Sequence, residues 1–265
     1  MKLLFLSDIH EDNNYTWLHY SLVTPFLQYL RDVKPDYAII SGDIAGCSDQ
    51  VVSFLNQLCE YRNKILFVPG NHDTWTFKES SWYEYNQLKE QPGCLCSGVK
   101  ILGNYVVIGD MGWYDYSFRH RSVTEFDCEY LKKTLWHDAD YNKWEMSDVE
   151  LCNLMLKKLE DQIQQHQDKK IILVTHFVPW KDFLTLVDQD NIEVTDGYMG
   201  SSRMGELIDK YDNIKYIAFG HTHKRFGKVE FGNKTIICNP LGYTGGWKYV
   251  YAQDEFEHVG IIIDI

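Results

Sequence analysis

The sequence predicts an α/β fold of two packed mixed sheets with helices on the outside. Three observations lead there: short apolar runs alternate with helix-period segments through the first third, this rhythm returns after residue 147, and the last stretch alternates turn residues with short apolar runs. The 265 residues are 45% hydrophobic and 24% charged, so one domain spanning 1–265 can bury a sizeable core.

In order, residues 2–7 (KLLFLS), 37–41 (YAIIS) and 64–68 (KILFV, before Pro69-Gly70) read as buried strands. Leu18, Leu22, Phe26 and Leu30 form one helical stripe between the first two, ended before Pro35. Val51, Phe54, Leu55 and Leu58 form another between the second and third. Strand and helix in alternation imply parallel pairing through right-handed crossovers. Residues 99–102 and 105–109 read as a hairpin about Gly103-Asn104, 147–167 as helix, 171–175 as a buried strand, 204–211 as helix and 214–219 as a strand. The runs at 228–231, 234–238 and 259–263 read as an antiparallel edge following that second set. No internal repeat and no low-complexity linker interrupts the series.

Residues 111–146 do break the rhythm. Trp113, Tyr114, Tyr116, Phe118, Phe126, Tyr130, Trp136, Tyr141 and Trp144 make this stretch too long and too aromatic for a plain connector. It reads as an insertion capping a site, whose aromatics either stack a nucleobase or form a small satellite core with some exposed Tyr and Trp. The satellite core is the preferred reading.

A net charge of −12 argues against binding extended nucleic acid, where each phosphate contact wants a Lys or Arg. It leaves a small anionic substrate open, because bound metal ions supply positive charge locally. The seven cysteines, Cys47, Cys59, Cys94, Cys96, Cys128, Cys152 and Cys238, are odd in number and lack a repeated CxxC. They suit reduced thiols in a cytosol, and Cys94-Leu95-Cys96 reads as a loop rather than a soft-metal site. The apolar start (1–6) is too short for a signal peptide, and no stretch approaches the ~20 apolar residues of a membrane span. The expectation is a cytoplasmic protein without a membrane partner.

Chemistry-bearing residues follow the strands. Asp8-Ile9-His10, Gly42-Asp43, Gly70-Asn71-His72-Asp73, Thr175-His176 and Gly220-His221-Thr222-His223 each stand directly after an apolar run, where a parallel sheet opens its ligand crevice. Each piece alone is common. The five together deliver carboxylate, carboxamide and imidazole to one edge. The two histidines of His-x-His share a face because side chains alternate along a strand. This donor set, without thiolate, suits divalent Mn, Fe, Co, Ni or Zn, and composition does not choose among them; Mn is carried forward as the first expectation. Two such ions, ~3.5–4 Å apart, clamp the attacking and leaving oxygens of a phosphate ester.

The ordered set DxH, GD, GNHD, TH and GHTH, from residue 8 to 223, resembles the calcineurin-like metallophosphoesterase superfamily. The resemblance implies a four-layer αββα sandwich and a metal-dependent phosphoesterase. It implies that Asp8, His10, Asp43 and His223 bind a first metal, and that Asp43 bridges to a second completed by Asn71, His176 and His221. His72 is then no ligand; it sits beside the scissile phosphate and protonates the leaving oxygen or stabilises the transition state, with Asp73 orienting its ring. The run Gly42-Asp43-Ile44-Ala45-Gly46 departs from the family habit of continuing GD with two residues and then Asp or Asn, without losing a ligand. The run also lacks the Arg that follows this GD motif in protein Ser/Thr phosphatases, which turns the expectation away from phosphoproteins.

The leading expectation is a phosphodiesterase on a small phosphate ester, with a nucleotide among the candidates. A phosphomonoesterase on the same site is second, and a non-catalytic scaffold of the same fold third; the presence of His72 and every expected ligand weighs against the scaffold. Arg119 and Arg121 are the candidate phosphate contacts, with Arg203 and Arg225 behind them. Gly197-Tyr198-Met199-Gly200 reads as a loop able to move near the His176 strand end, and Asn239-Pro240 as a turn near the site.

Overall fold

The structure is a computed structural model that describes residues 1–77, 80–184 and 192–265. The chain runs β1 (Lys2–Leu6), α1 (Glu11–Leu18), α2 (Val23–Val33), β2 (Tyr37–Ser41), α3 (Ser48–Gln57), β3 (Ile65–Val68), α4 (Ser81–Lys89), β4 (Lys100–Leu102) and β5 (Tyr105–Gly109). It continues with α5 (Glu125–Leu135), α6 (Asp138–Tyr141), α7 (Asp148–Gln165), β6 (Lys170–Val174), α8 (Ile192–Thr195), α9 (Ser202–Asp209) and β7 (Ile214–Ala218). It closes with β8 (Gly227–Phe231), β9 (Lys234–Cys238), α10 (Ala252–Val259) and β10 (Ile261–Asp264).

These strands form two mixed sheets, β10-β1-β2-β3 and β4-β5-β6-β7-β9-β8. β1, β2 and β3 are parallel, as are β5, β6, β7 and β9. The period of two sorts their side chains. Leu3, Phe5, Ile39, Leu66 and Val68 meet Val107, Ile172, Val174, Ala218 and Ile237 between the sheets. The alternate residues, Leu4, Leu6, Ile40, Phe67, Ile108, Leu173 and Ile217, pack with helix residues such as Phe26, Leu30, Phe54, Met155 and Leu159. Burial on both faces is why the strands read as unbroken apolar runs. At roughly 1.5–3 kcal/mol for each fully buried large side chain, this double core is the main stabilising term. The result is a four-layer sandwich, helix–sheet–sheet–helix.

Several expectations are corrected. The stripe at Leu18–Leu30 is not one helix: His19 turns left-handed (φ 59) after α1, and α2 starts afresh with the Leu22 amide held by the Glu11 carboxylate at 2.9 Å. The 259–263 run does not extend the second sheet. As β10 it pairs antiparallel with β1 and closes the edge of the first. The insertion is split in role: Trp113, Tyr114, Tyr116, Phe118 and Trp144 are part of the main core, whereas Phe126 and Tyr130 are exposed.

Candidate metal centre

The parallel strands end together, and the loops leaving them are stitched to one another. The Asp8 amide donates to Gly42 O and the His10 amide to Asp43 O, both at 3.0 Å. Across the two sheets, the His221 amide donates to the Asp8 carboxylate (3.0 Å), and His176 Nδ1 lies 2.9 Å from Ser41 O. Side chains that leave strands far apart in the sequence thus meet over one edge.

Two clusters result. Asp8, His10, Asp43 and His223 bring one ligand atom each within 4.8 Å of one another, and Asp43, His176 and His221 do the same. Asp43 is common to both. His10 Nε2 is 2.9 Å from His223 Nε2, His176 Nε2 is 3.3 Å from Asp43 Oδ2, and Asn71 Oδ1 joins the second cluster 3.0 Å from His176 Nε2. All the residues that the resemblance assigned to the two metals are therefore brought together.

Backbone strain accompanies the arrangement. Asp8, His10, Asp43, His221 and His223 all have φ between 45° and 69°, the left-handed region that costs a non-glycine residue of order 1 kcal/mol or more. Glycine is needed where carboxylates pack against the chain: a Cβ on Gly70 would overlap the Asp43 carboxylate, and one on Gly220 would overlap Asp8 Oδ2. That is the physical reason for glycine at these two strand ends.

The electrostatics favour a cation. Burial opposes ionisation of Asp8, but its hydrogen bond and attraction to His223 bring its pKa down to about 2. Asp43 is likewise held well below the usual range, burial being outweighed by His176, His72 and His10. Burial would depress His176, yet Asp43 and Asp8 raise it to about 9, while burial and His176 push His221 down to about 3. The carboxylates draw positive charge to a point between them, which a proton or a metal ion can supply. Asp8 Oδ2 is buried and has no hydrogen-bond partner, as a lone pair kept for a metal would be. Because a carbonyl only accepts, Ser41 O makes His176 Nδ1 the protonated nitrogen and frees Nε2 as a ligand. Tyr198 O, 3.3 Å from His221 Nε2, frees His221 Nδ1 in the same way. The donor set and its geometry fit two divalent ions.

His72 stands over this floor, its Nε2 4.0 Å from Asp43 Oδ2 and its ring stacked on Trp75 at 3.6 Å. Burial lowers its pKa. The expectation that Asp73 orients this ring is not met. One Asp73 oxygen accepts from the Ile44 and Ala45 amides and the other from the Gly70 amide, each at 2.8 Å. Asp73 pins the two ligand loops to each other, and burial beside Asp43 pushes its pKa up to about 8.

The clusters form the floor of a cavity of about 800 Å³ whose walls include Trp75, Leu135, Trp136, Tyr141, Asp196, Met199 and Tyr243. Arg119 and Arg121 are elsewhere, lining a separate depression with Lys181, and Arg119 is spent on the Val123 and Tyr116 carbonyls. Arg203 and Arg225 pair with Asp115 and Glu255. Tyr198 is fully buried, so the 197–200 segment is packed rather than loose. Asn239 binds Val259 O at 2.7 Å, and the turn after it carries Tyr243 to within 4.6 Å, ring to ring, of His10 and His223. The seven cysteines are free thiols, and Cys94 and Cys96 are buried in the core. No described helix is long and apolar enough to cross a membrane.

In sequence, the chain is similar to the "Probable glycerophosphodiester phosphodiesterase GpdQ" of Arcobacter nitrofigilis, 24% identical over 242 residues, 87% of this chain and 68% of that one. It is also similar to the 3',5'-cyclic adenosine monophosphate phosphodiesterase CpdA of Haemophilus influenzae, 19% identical, covering 91% and 76% of the two chains. In fold it matches the phosphopantetheinyl hydrolase PptH of Mycobacterium tuberculosis, with a TM-score of 0.77, 18% identity and coverage of 99% and 95%. The strand-end motifs, the two-sheet sandwich and the shared-carboxylate clusters agree with a family model, calcineurin-like phosphoesterase, that matches residues 1–225. The chain belongs to the calcineurin-like phosphoesterase family.

Proposed function

We propose that this protein is a phosphodiesterase acting on a small phosphodiester, a nucleotide among the candidates, with two divalent cations, Mn²⁺ foremost. Asp8, His10, Asp43 and His223 would hold one ion, and Asp43, Asn71, His176 and His221 the other. The observation that carries the reading is Asp43, common to two groups of ligand atoms each drawn within 4.8 Å. A carboxylate common to both groups would serve both ions of such a pair. When bound, such a pair neutralises phosphoryl oxygens and lowers the pKa of water toward neutrality.

The chain's own groups then have distinct tasks. Ser41 O and Tyr198 O fix the His176 and His221 tautomers. Asp73 holds the Asp43 and Asn71 loops in register. His72, kept neutral by burial, offers an N–H to the leaving oxygen. This favours stabilising the developing charge over delivering a whole proton. The diester preference is supported by the breadth of the cavity lining, which holds Trp75, Trp136 and Tyr141 together with Asn13, Thr222 and Tyr243. Its size is that of pockets that enclose small-molecule ligands, and the names of the two sequence relatives point the same way.

The test is a comparison of bis-p-nitrophenyl phosphate with p-nitrophenyl phosphate after metal removal and re-addition of Mn²⁺. Faster diester turnover that vanishes without metal is expected. Preference for the monoester moves the reading to a phosphomonoesterase. No turnover of either with Mn²⁺, Fe²⁺, Co²⁺, Ni²⁺ or Zn²⁺ overturns the enzymatic reading.

A further inference from the structure

We infer that Asp138, the first residue of α6 in the aromatic insertion, is a positioning residue that decides which end of the Asn71 carboxamide faces the cluster. The inference rests on the two-metal reading above. Asp138 is 1% exposed. Its Oδ1 accepts from Asn71 Nδ2 (2.9 Å), Trp75 Nε1 (2.9 Å) and Asn142 Nδ2 (3.1 Å). Its Oδ2 accepts from Trp136 Nε1 (2.9 Å) and the Tyr114 hydroxyl (3.2 Å).

A carboxamide has nearly the same shape in its two flipped orientations, but the two ends differ chemically. The oxygen carries lone pairs for a metal; the NH₂ group has none to give. The Trp75 and Trp136 indoles can only donate, so both Asp138 oxygens are held as acceptors, and Oδ1 takes the NH₂ end of Asn71 and turns its Oδ1 toward His176 Nε2, 3.0 Å away. The flipped amide would set two acceptor oxygens against each other in a buried space, with the Asn71 NH₂ facing the cluster. The side chain that makes Asn71 a usable ligand thus comes from a segment 67 residues downstream. The same carboxylate anchors Trp75, stacked on His72 at 3.6 Å, and Trp136, edge-on to His221 at 5.9 Å. The insertion is therefore tied to the second cluster and to the cavity wall through one side chain.

Asp138→Asn keeps the size and removes the one-way polarity, since a carboxamide at this position can present either a donor or an acceptor to Asn71. Metal-free full-length protein would be titrated with Mn²⁺ by calorimetry and followed by EPR. Wild type is expected to take up two ions with a spin-coupled spectrum. D138N is expected to weaken one site about 10–100-fold, the usual effect of losing a ligand's outer partner, leave the other unchanged, and show isolated Mn²⁺. Tyr114→Phe, which removes a donor to the far oxygen, is expected to bind both ions as wild type does. Wild-type affinities in D138N, or equal weakening of both sites, overturn the inference, as does a Y114F loss matching that of D138N. Should D138N not fold, the wild type decides. The Asn71 side-chain NH₂ should exchange slowly with water in metal-free and Zn²⁺-loaded protein by NMR, and fast exchange in either state overturns the idea. A wild type that binds two Mn²⁺ yet hydrolyses no phosphate ester would sink the functional reading and leave this one standing, because its readout is metal occupancy.

Discussion

Asp43 and His72 are separated by 4.0 Å but do different work, and substitution should separate them. Asp43 serves both clusters, so Asp43→Ala should cost both metal occupancy and turnover, on the order of 10³-fold in kcat/KM or ~4 kcal/mol of transition-state stabilisation. His72→Ala should lower kcat by about 10²–10⁴-fold, the range for a positioned acid–base group, while metal content measured by emission spectroscopy stays at the wild-type level. Equal metal loss in both variants would make His72 a ligand and remove its proposed role. The residues of the two clusters were legible in the sequence because each follows an apolar strand and several sit beside a glycine that leaves room for a neighbouring carboxylate or imidazole. Asp138, Trp75 and Tyr243 carry no such mark. Asp138 is one acid among many in the chain until folding places it on Asn71, and Tyr243 reaches the site only through the turn after β9. The Asp73 role implied by the resemblance failed for a related reason: a motif position says nothing about the three amides that claim its oxygens.

Elements whose stability comes from burial inside one long periodic pattern were readable; those defined by a partner were not. α7 shows the readable kind. Leu151, Met155, Leu159 and Ile163 face the core, and Ser147 with Glu150 forms a reciprocal capping box, the serine hydroxyl accepting from the Glu150 amide at 3.2 Å. Removing that cap should be felt by the whole fold because α7 covers the second sheet. Ser147→Ala is expected to destabilise by about 1 kcal/mol, read as a lower urea midpoint at unchanged slope; no shift would mean that solvent replaces the hydroxyl at no cost. α10 and β10 show the other kind. β10 is only four residues long and has alternating exposure, and what fixes it is the backbone ladder to β1. A short run with such a pattern does not say which of two sheets it will join. The α1–α2 break was hidden likewise, since Leu22, Phe26 and Leu30 keep helical spacing while the left-handed His19 is set by backbone geometry and not by hydrophobicity.

The whole molecule carries a net charge of −12 and gathers Asp8, Asp43, Asp73 and Asp138, all buried, in and around one edge of its sandwich. Desolvated carboxylates are costly unless opposite charge or donors compensate them. Asp73 and Asp138 are satisfied by amides, indoles and a hydroxyl, but Asp8 Oδ2 has no partner and Asp43 leans on histidines. Cations bound between them should therefore stabilise the folded protein directly, not only enable turnover. At a free metal concentration 100 times the dissociation constant, one site adds about 2.7 kcal/mol, worth roughly 5–10 °C in Tm for a chain of this length. Metal-stripped protein is thus expected to melt several degrees below protein in Mn²⁺, with the gap growing with metal concentration and disappearing in Asp43→Ala. Because both sheets lend ligands to the site, the shift should appear as one cooperative transition. Were the stripped and loaded melts to coincide, the edge would be balanced without metal, with the His176 proton as the compensating charge, and the two-ion reading of Asp43 would have to be abandoned.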